Sequence, residues 1–553
     1  MGVARPIRLP LLAPRTLGCA HHDVGILVER SVGLESSTQL PDAASRPSRV
    51  RPTIRSQVRD GRAWGSHRAE FSSVGWSVAS NSREWIVSAS TARLGRTPGS
   101  LARPPAVLSR LYAGKDMKLL RRHLHREMSR VIDGMADATG RVIISVGDDT
   151  GESSAERRVI RSTDGDLVPA ERLAEHLTND SVRHARTVVL DGALNRVDDV
   201  YLGMANVAAH WSEHTRLVNV SYNRLWRPLV RSARSLGRSG AKENWIPPAE
   251  LDNLLEQSGF QVIERRTAVL VPIPIPVLAR LLNRWLAPLP VLRLFCMFNI
   301  VVARSRETRR AANPKVSVVI AARNEAGNIA PLMKRLPQLS PQQEVVFVEG
   351  GSTDDTWGEI QRAVAEQHPT NTVVKAFKQT GKGKGDAVRL GFAEATGDIL
   401  IILDADLSVP PEELPRFIDL LRWNSCEFAN GSRLVYPMEQ QAMQFLNLIG
   451  NRLFGVAFSF LLGQPVRDTL CGTKALWAAD YRRIAAQRSH FGDFDPFGDF
   501  DLLFGAARLH LRIRDVPVHY KERVYGSTNI SRFRHGALLL RMTLVAARKL
   551  RFV

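Results

Sequence analysis

Four apolar segments in the C-terminal half of the chain constrain its fold more than any other feature. They read KVSVVIAARNE, EVVFVEGGSTDDT, NTVVKAF and GDILIILDADLS, with segments of helical character between them. Apolar runs that alternate with helices predict a doubly wound α/β sheet. In open sheets of this kind ligands bind at the carboxyl ends of the strands. The polar endings of these runs are therefore predicted to share one site.

Three of these endings supply candidate site residues. The residues are Ala322, Arg323, Asn324 and Glu325 after the first segment, Glu349 after the second, and Asp404 and Asp406 after the fourth. Taken alone, the two aspartates fit either a helix-capping turn before SVPPEEL or the oxygen ligands of a divalent cation. In series with the other endings they favour the metal site. As alternate residues of a strand they are predicted to face one ligand, while Ala405 faces the core.

Two basic features are suited to phosphate groups. Lys382, Lys384 and Gly385 form a short glycine-rich loop before a predicted helix, where side chains and backbone can bind phosphate oxygens. Arg523, in ERVYGSTN, is a candidate clamp for a diphosphate. The alternative for both features is a solvated surface charge.

In combination, these segments resemble the family 2, inverting glycosyltransferases of the GT-A fold, over about residues 316–525. VSVVIAARNEAGNI, VEGGSTDDTW, DADLSVPPEEL and FGDFDLLFGA are similar to that family's nucleotide-binding loop, second-strand acidic segment, D-x-D segment and later E-D-x-D-L segment. KGKGDAVRLGFAEATGD, DTLCGTKALW and ERVYGSTN look most like enzymes that make polyprenyl-phosphate sugars. The resemblance implies hexose transfer from a nucleotide-diphosphate sugar, with inversion. It also implies Mg²⁺ or Mn²⁺ bound by Asp406, with Asp404 helping to hold either the ribose or the metal.

The resemblance leaves two classes of acceptor. Asp499 matches the family's general base, which a hydroxyl acceptor such as a saccharide requires. A polyprenyl phosphate is already ionised and requires only positioning and charge stabilisation. DTLCGTKALW favours the lipid phosphate, with Asp468, Gly472 and Lys474 as acceptor residues and Lys474 as the partner of its charge.

The sequence departs from the family pattern at two positions. Glu349 and Gly350 stand where the family usually has two aspartates, so the nucleotide base is not predicted. Gly498 stands in place of the first acid of the E-D-x-D-L segment, which leaves Asp499 and Asp501.

Residues 117–308 show a second alternation of strands and helices. RVIISVG, TVVLDGALNRVDDV and TRLVNVSYN read as strands, and FQVIERRTAVLVPI as a closing strand pair. The region resembles a class I S-adenosylmethionine-dependent methyltransferase over about residues 141–303. The cofactor contacts that this resemblance implies are Gly147, Asp148, Thr150 and Gly151. Asp149 replaces a glycine where backbone should touch the cofactor, which favours a degenerate, non-catalytic domain over an active methyltransferase.

The predicted organisation has four parts. Residues 1–116 are rich in Arg, Ser and Pro, which predicts disorder, and Met117 is a plausible natural start. Residues 309–315 are a linker between the methyltransferase-like region, 117–308, and the GT-A region, 316–553. The fold class is α/β, with two doubly wound domains: a Rossmann-like methyltransferase fold and then a GT-A nucleotide-sugar-binding fold.

Charge and composition bound the partners. The net charge of +21 is spread along the chain without a nucleic-acid-binding module, so anionic lipid or phosphorylated substrate is favoured over nucleic acid. Four scattered cysteines fit a reducing cytosol, and no apolar run is long enough for a transmembrane helix. We expect a bacterial cytoplasmic protein, peripheral at the inner face of the plasma membrane. The alternatives are transfer to a saccharide hydroxyl beside an active methyltransferase, or a non-catalytic scaffold protein.

Overall fold

The computed structural model describes the chain from residue 115 to residue 552, with gaps. The described residues are 115–135, 140–147, 157–162, 166–236, 243–306, 313–369, 371–436, 445–490, 498–523, 525 and 532–552. The predicted disorder before residue 115 and most of the predicted linker lie outside them. Everything described belongs to one compact unit.

The middle region contributes one sheet and its covering helices. Its strands are β1 Arg141–Gly147, β2 Arg157–Arg161, β3 Thr187–Asp191, β4 Arg216–Tyr222, β5 Phe260–Ala268 and β6 Phe298–Ser305. Its α-helices are α1 Lys115–Met135, α2 Ala170–Thr178, α3 Asp180–Arg183, α4 Val200–Met204, α5 Val207–His210, α6 Arg227–Leu236, α7 Pro248–Gln257 and α8 Leu278–Trp285. Short 3₁₀ helices span Ala193–Arg196, Arg224–Trp226 and Leu292–Phe295.

The middle sheet is mixed rather than wholly parallel. Its order is β2-β1-β3-β4-β6-β5, with β1 to β4 parallel and β6 antiparallel to both of its neighbours. The predicted strand pair within FQVIERRTAVLVPI is wrong, because β5 ends at Ala268 and pairs with β6. The prolines at 272, 274 and 276 lack the N–H groups that a ladder needs. Strand β2 was not predicted.

The C-terminal region contributes a second sheet. Its strands are β7 Val316–Ala322, β8 Gln343–Glu349, β9 Thr372–Lys378, β10 Ile399–Ile402, β11 Phe428–Ser432, β12 Lys474–Trp477 and β13 Ile513–Pro517. Its helices are α9 Ala326–Arg335, α10 Thr356–Ala365, α11 Lys384–Glu394, α12 Leu414–Arg422, α13 Phe445–Leu462, α14 Ala478–Ala486, α15 Asp499–Arg508 and α16 Arg532–Ala546, with 3₁₀ turns at Pro411–Glu413 and Arg488–His490 and a π-helical turn at Ala547–Arg551. Among the helices described, none is both long and apolar enough to cross a bilayer.

The C-terminal sheet has the order β13-β11-β12-β10-β7-β8-β9, and only β12 runs antiparallel to its neighbours. The four predicted strands, β7 to β10, are confirmed. The remainder, predicted to be mostly helical, supplies three further strands. Side chains alternate along β7, so that Val318 and Ile320 join the apolar core on one face and Val319 joins the core on the other. Helices on both faces account for the nearly unbroken apolar runs.

Buried ion pairs connect the two sheets. Arg216 of β4 donates from Nη2 to Oε1 of Glu427, which directly precedes β11, at 2.7 Å. At a second point Arg551 donates from Nη1 to Oε1 of Glu264 in β5, at 3.1 Å. All four side chains are at most 5% exposed. Because a buried charge without a partner is strongly unfavourable, the first pair holds the two sheets in one arrangement, and the second holds the C-terminal turn against β5.

Candidate active site

The loops after β7 and β8 are connected by hydrogen bonds. The backbone N–H of Asn324 donates to Ser352 Oγ at 3.0 Å, and the N–H of Thr353 donates to Asn324 Oδ1 at 2.8 Å. Asn324 has a φ of +57°, which asparagine tolerates better than most residues. Asp354 accepts from the N–H of Ala326 at 3.2 Å, at the start of α9. The first two predicted strand endings therefore form one continuous polar rim.

The other predicted residues of this rim differ in exposure. Glu349 is buried and its Oε1 accepts from the N–H of Ser352 at 2.5 Å, so it shapes its own loop. The carbonyl of Ala322 accepts from the N–H of Gly350 at 2.9 Å. Arg323 is exposed beside them.

The aspartates of the fourth ending lie beyond the strand. Strand β10 ends at Ile402, and Asp404 and Asp406 occupy the turn that follows. The prediction that strand alternation orients them is therefore wrong, although Ala405 between them is buried as predicted. Leu407 has a φ of +57°, an unfavourable value for leucine, so the chain turns sharply after the second aspartate.

Each aspartate is paired with a predicted basic residue. Asp404 forms an ion pair with Lys384, the first residue of α11. Asp406 Oδ2 lies 2.6 Å from Arg523 Nη2. The other oxygen of Asp406 accepts from the N–H and the hydroxyl of Ser408, at 3.0 and 2.7 Å. Asp406 is nearly buried, at 6% side-chain exposure, whereas Asp404 is 27% exposed.

Positive charge surrounds Asp404. Desolvation would raise the pKa of this carboxyl, but Lys384, Lys474 and Arg433 together hold its pKa below the ordinary value. Lys474 is fully buried in β12, and its Nζ donates to the carbonyl of Cys471. Its predicted contact with an acceptor phosphate remains a prediction.

Glycines allow four segments of the chain to approach one another closely at this point. A Cβ atom at Gly472 would overlap both Lys384 Nζ and the carboxylate of Asp404. A Cβ atom at Gly498, whose φ is +76°, would lie 2.7 Å from the Cα of Gly385. The backbone at Gly472 therefore lies directly against the side chains of Lys384 and Asp404, and the backbone at Gly498 against that of Gly385. The missing acid at position 498 also has a physical reason, because no side chain fits there.

Asp468 is the centre of a buried hydrogen-bond cluster. It is fully buried, and it accepts from the backbone N, the Nε and the Nη2 of Arg433 at 3.0, 2.8 and 2.9 Å, and from Asn451 Nδ2 at 3.0 Å. Although burial opposes ionisation, Arg433 lowers the pKa of Asp468 to about 2. Sequence reasoning missed Arg433. The signal was the polar ending NGSR of β11, a strand that was not predicted.

The loop that follows β13 closes over the rim. Tyr525 donates from its hydroxyl to Asp354 Oδ2 at 3.2 Å, and the N–H of Lys521 donates to the carbonyl of Ser408 at 2.9 Å. Lys382 is exposed to solvent. Asp499 is the first residue of α15, and its side chain lies outside the part of the chain that the structure describes.

Glu325 is buried beside the two aspartates. Burial raises the pKa of Glu325 to about 7, although the hydrogen bond from Asn328 Nδ2, at 2.6 Å, acts to lower it. The negative charges of Asp406 and Asp404 raise this pKa further. A carboxyl group whose pKa is raised in the folded state stabilises the fold less as pH rises. This stability begins to be lost near pH 4.5, the ordinary pKa of the group, and the loss is complete above pH 7.

We therefore expect Glu325→Gln to stabilise the ligand-free protein at pH 8 but not at pH 4. The expected gain is about 3 kcal/mol, because the pKa of Glu325 rises from 4.5 to about 7 in the folded protein. Urea unfolding at the two pH values measures it. Glu394→Gln, at an exposed position of α11, is the matched control and should change stability at neither pH. An equal effect of Glu325→Gln at both pH values would contradict the raised pKa.

Comparison with known proteins adds three observations. Residues 317–483 match the model of the glycosyl transferase family 2. An undecaprenyl-phosphate 4-deoxy-4-formamido-L-arabinose transferase from Sodalis glossinidius is 37% identical over 223 residues, which are 39% of this chain and 63% of that protein. A dolichyl-phosphate hexose transferase from Haloferax volcanii is 28% identical over 225 residues, 40% of this chain and 90% of that protein.

Among solved structures, glucosyl-3-phosphoglycerate synthase from Mycobacterium tuberculosis is 19% identical, with a TM-score of 0.31 over 43% of this chain and 81% of that one. That likeness is too low to support an argument. The first four curated relatives are matched over 34–65% of their own lengths. The matched region contains the loops after β7, β8 and β10 described above. The chain therefore contains a glycosyl transferase family 2 domain over residues 317–483.

Proposed function

We propose that the chain transfers a hexose from a nucleotide-diphosphate sugar to a polyprenyl phosphate, with inversion and with a divalent cation, on a GT-A fold. The observation that carries the proposal is the pairing of Asp404 with Lys384 and of Asp406 with Arg523 at the end of β10. Two carboxylates and two basic side chains at one sheet edge suit a ligand that carries both phosphate groups and a metal ion. The curated relatives named above transfer sugars to polyprenyl phosphates, which supports the acceptor.

The residues present fit a hard cation such as Mg²⁺ or Mn²⁺. Carboxylate oxygens are its preferred ligands, and one or two carboxylates with substrate phosphates usually suffice. Among the described residues, no group of three or more His, Cys, Asp or Glu side chains is arranged to hold a metal ion, so Asp404 and Asp406 would be the protein's share. When bound, the cation would neutralise charge that develops on the leaving diphosphate.

Lys384 and Arg523 would then change partners. In the ligand-free protein each neutralises one aspartate. Once those carboxylates bind a cation, the ammonium and the guanidinium become available to the diphosphate oxygens, for which Arg has matching geometry. The rim formed by Asn324 and Glu349 would hold the nucleoside, as the family resemblance implies. We propose no role for the exposed Lys382 beyond a contact with phosphate.

The acceptor would approach along the segment that contains Gly472. Backbone at this glycine lies directly against Asp404 and Lys384, so an acceptor bound there would be next to the donor phosphates. Arg433, held by Asp468, adds positive charge nearby. An ionised lipid phosphate needs such charge and no general base.

The test measures transfer of sugar from labelled nucleotide-diphosphate sugars to two classes of acceptor, a polyprenyl phosphate and saccharides. The wild-type protein and Asp499→Asn are compared in the same assay. We expect transfer to the polyprenyl phosphate, and we expect Asp499→Asn to retain it. If the acceptor is a hydroxyl, the same change should lower turnover about 10²–10⁴-fold, because a general base is lost. No transfer and no cation-dependent hydrolysis of any donor would favour the non-catalytic scaffold instead.

For the middle domain we propose a methyltransferase-like fold that serves as a scaffold. The largely parallel sheet β1 to β4 with covering helices supports the resemblance. Gly147 ends β1, whereas Asp148, Thr150 and Gly151 lie outside the described residues. Asp149 in the cofactor loop supports loss of S-adenosylmethionine binding. Calorimetric titration separates the two interpretations, since saturable binding of S-adenosylmethionine would favour an active methyltransferase.

Location at the inner membrane face of a bacterial cell also belongs to the proposal.

A further inference from the structure

Helix α8 exposes its apolar face. Leu278, Leu281 and Trp285 share one face of the helix, and they are 50%, 49% and 41% exposed. The opposite face buries Ala279 and Asn283. Asn283 fixes this orientation through two hydrogen bonds to the backbone of Val271, at 2.8 and 3.1 Å. A helix on an ordinary globular surface has the reverse arrangement.

The exposed apolar area extends well beyond α8. Across residues 273–295, which we call the 273–295 surface, six aliphatic side chains are 49–73% exposed: Ile273, Val277, Leu278, Leu281, Val291 and Leu294. Leu225 and Leu229 lie alongside, because Asn223 Nδ2 donates to the carbonyl of Leu294 at 2.9 Å. Contiguous exposed apolar patches of this kind mark an interaction site.

The segments that form the 273–295 surface and its border carry charge of one sign. No acidic residue occurs from position 265 to position 306, and none occurs from 214 to 242. Arg280 and Arg293 are exposed within the surface, and Arg224 and Arg231 are exposed beside it. Aliphatic side chains interspersed with arginines and free of carboxylates match the headgroup region of an anionic bilayer.

The apolar area continues towards the candidate acceptor segment. Trp285 stacks on Phe552 with ring centroids 5.2 Å apart. Phe552 in turn lies beside Phe460 of α13, with ring centroids 6.4 Å apart. Leu453 and Val456 share the helix face of Phe460 and are 67% and 72% exposed. Further along α13, Asn451 donates to Asp468, which belongs to the acceptor segment.

We propose that the 273–295 surface docks the protein on an anionic lipid bilayer. The aliphatic side chains would enter the boundary between headgroups and acyl chains, and Arg280 and Arg293 would contact lipid phosphates. The inference rests on the proposed function for its purpose, since a bilayer would bring a lipid-linked acceptor to α13. The binding itself requires no donor and no turnover.

The experiment is flotation of the full chain with vesicles of phosphatidylcholine alone or mixed with phosphatidylglycerol, without donor. We expect binding to the phosphatidylglycerol vesicles that weakens with added salt. Val277→Asp combined with Leu281→Asp should weaken it about a hundredfold, because two apolar contacts are replaced by charges that the lipid repels. Val373→Asp, at a half-exposed position on the edge strand β9, is the matched control and should bind as the wild type does.

Three outcomes would overturn the inference. One is a wild-type protein that does not float with phosphatidylglycerol vesicles, and another is equal flotation of the wild type and the double variant. The third is a double variant that changes the oligomeric mass but not vesicle binding, which would assign the surface to a second copy of the chain. Turnover with a detergent-dispersed polyprenyl phosphate is measured in parallel. Transfer without vesicle binding would refute the docking surface alone, and vesicle binding without transfer would refute the proposed function alone.

Discussion

Asp406→Ala is expected to lower sugar transfer at least about a thousandfold while leaving the domain folded. Loss of one preorganised group that stabilises transition-state charge typically costs 10²–10³-fold, and loss of a metal ligand adds to it. Asp406 has both roles in the proposal. It also holds Arg523, whose guanidinium lies 2.6 Å from its carboxylate, so the variant would leave that arginine unplaced as well.

The folded state should tolerate this change. Arg523 is 31% exposed and can turn to water, and Ser408 loses two hydrogen bonds that are worth about 1 kcal/mol each. Circular dichroism and urea unfolding check the fold, and calorimetry with Mn²⁺ and a nucleoside diphosphate checks binding. Asp419→Ala, at an exposed position of α12, is the matched control and should behave as the wild type does. Retained binding and turnover in Asp406→Ala would remove this residue from the cation site.

The strands that the sequence predicts well are those buried on both faces. β7, β8 and β10 are runs of Val, Ile, Leu and Phe, since helices cover them on each side. β11 reads FANGS and β12 reads KALW, which lack that character. Both are nevertheless fully buried, because their neighbours in the sheet are provided by distant parts of the chain. Such tertiary effects override local propensity.

The candidate site shows the same division. Its members were predictable where residue type and position at a strand end are sufficient, as for Asp404, Asp406 and Glu325. The pairing of Asp404 with Lys384 and of Asp406 with Arg523 was not predictable, because it depends on how α11 and the loop after β13 pack. The turn after β10 was missed for a local reason: Leu407 adopts a left-handed conformation that nothing in its residue type suggests.

The contact between the two sheets could not be predicted from the sequence either. Glu427 is fully buried, and its carboxylate accepts from Arg216 Nη2 at 2.7 Å and from the N–H of Arg512 at 2.9 Å. Arg304 Nη1 of β6 lies 3.5 Å from its second oxygen. One carboxylate thus receives charge from two strands of the middle sheet, and nothing local predicts that Glu427 is buried at all.

Glu427→Ala is accordingly expected to destabilise the described unit by about 3–5 kcal/mol, the cost of leaving a buried charge without its partner. Arg216 and Arg304 are at most 3% exposed, so neither can reach water without separating the sheets. Urea unfolding measures the loss. Hydrogen exchange in β4 and β11 shows whether the two sheets open together. Glu366→Ala, at an exposed position, is the control and should stay within about 0.5 kcal/mol of the wild type.

A second variant tests whether the charges of Arg216 and Glu427, or only the shape of the interface, hold the two sheets together. Replacing the pair by apolar residues, Arg216→Met with Glu427→Leu, removes both charges and should restore part of the stability that Glu427→Ala loses, because only Arg304 then remains buried without this carboxylate. If the single and double variants are equally unstable, the ion pair does not determine the interface and shape alone does. If neither variant is destabilised, the two sheets do not depend on this contact, and the middle domain cannot act as a scaffold through it.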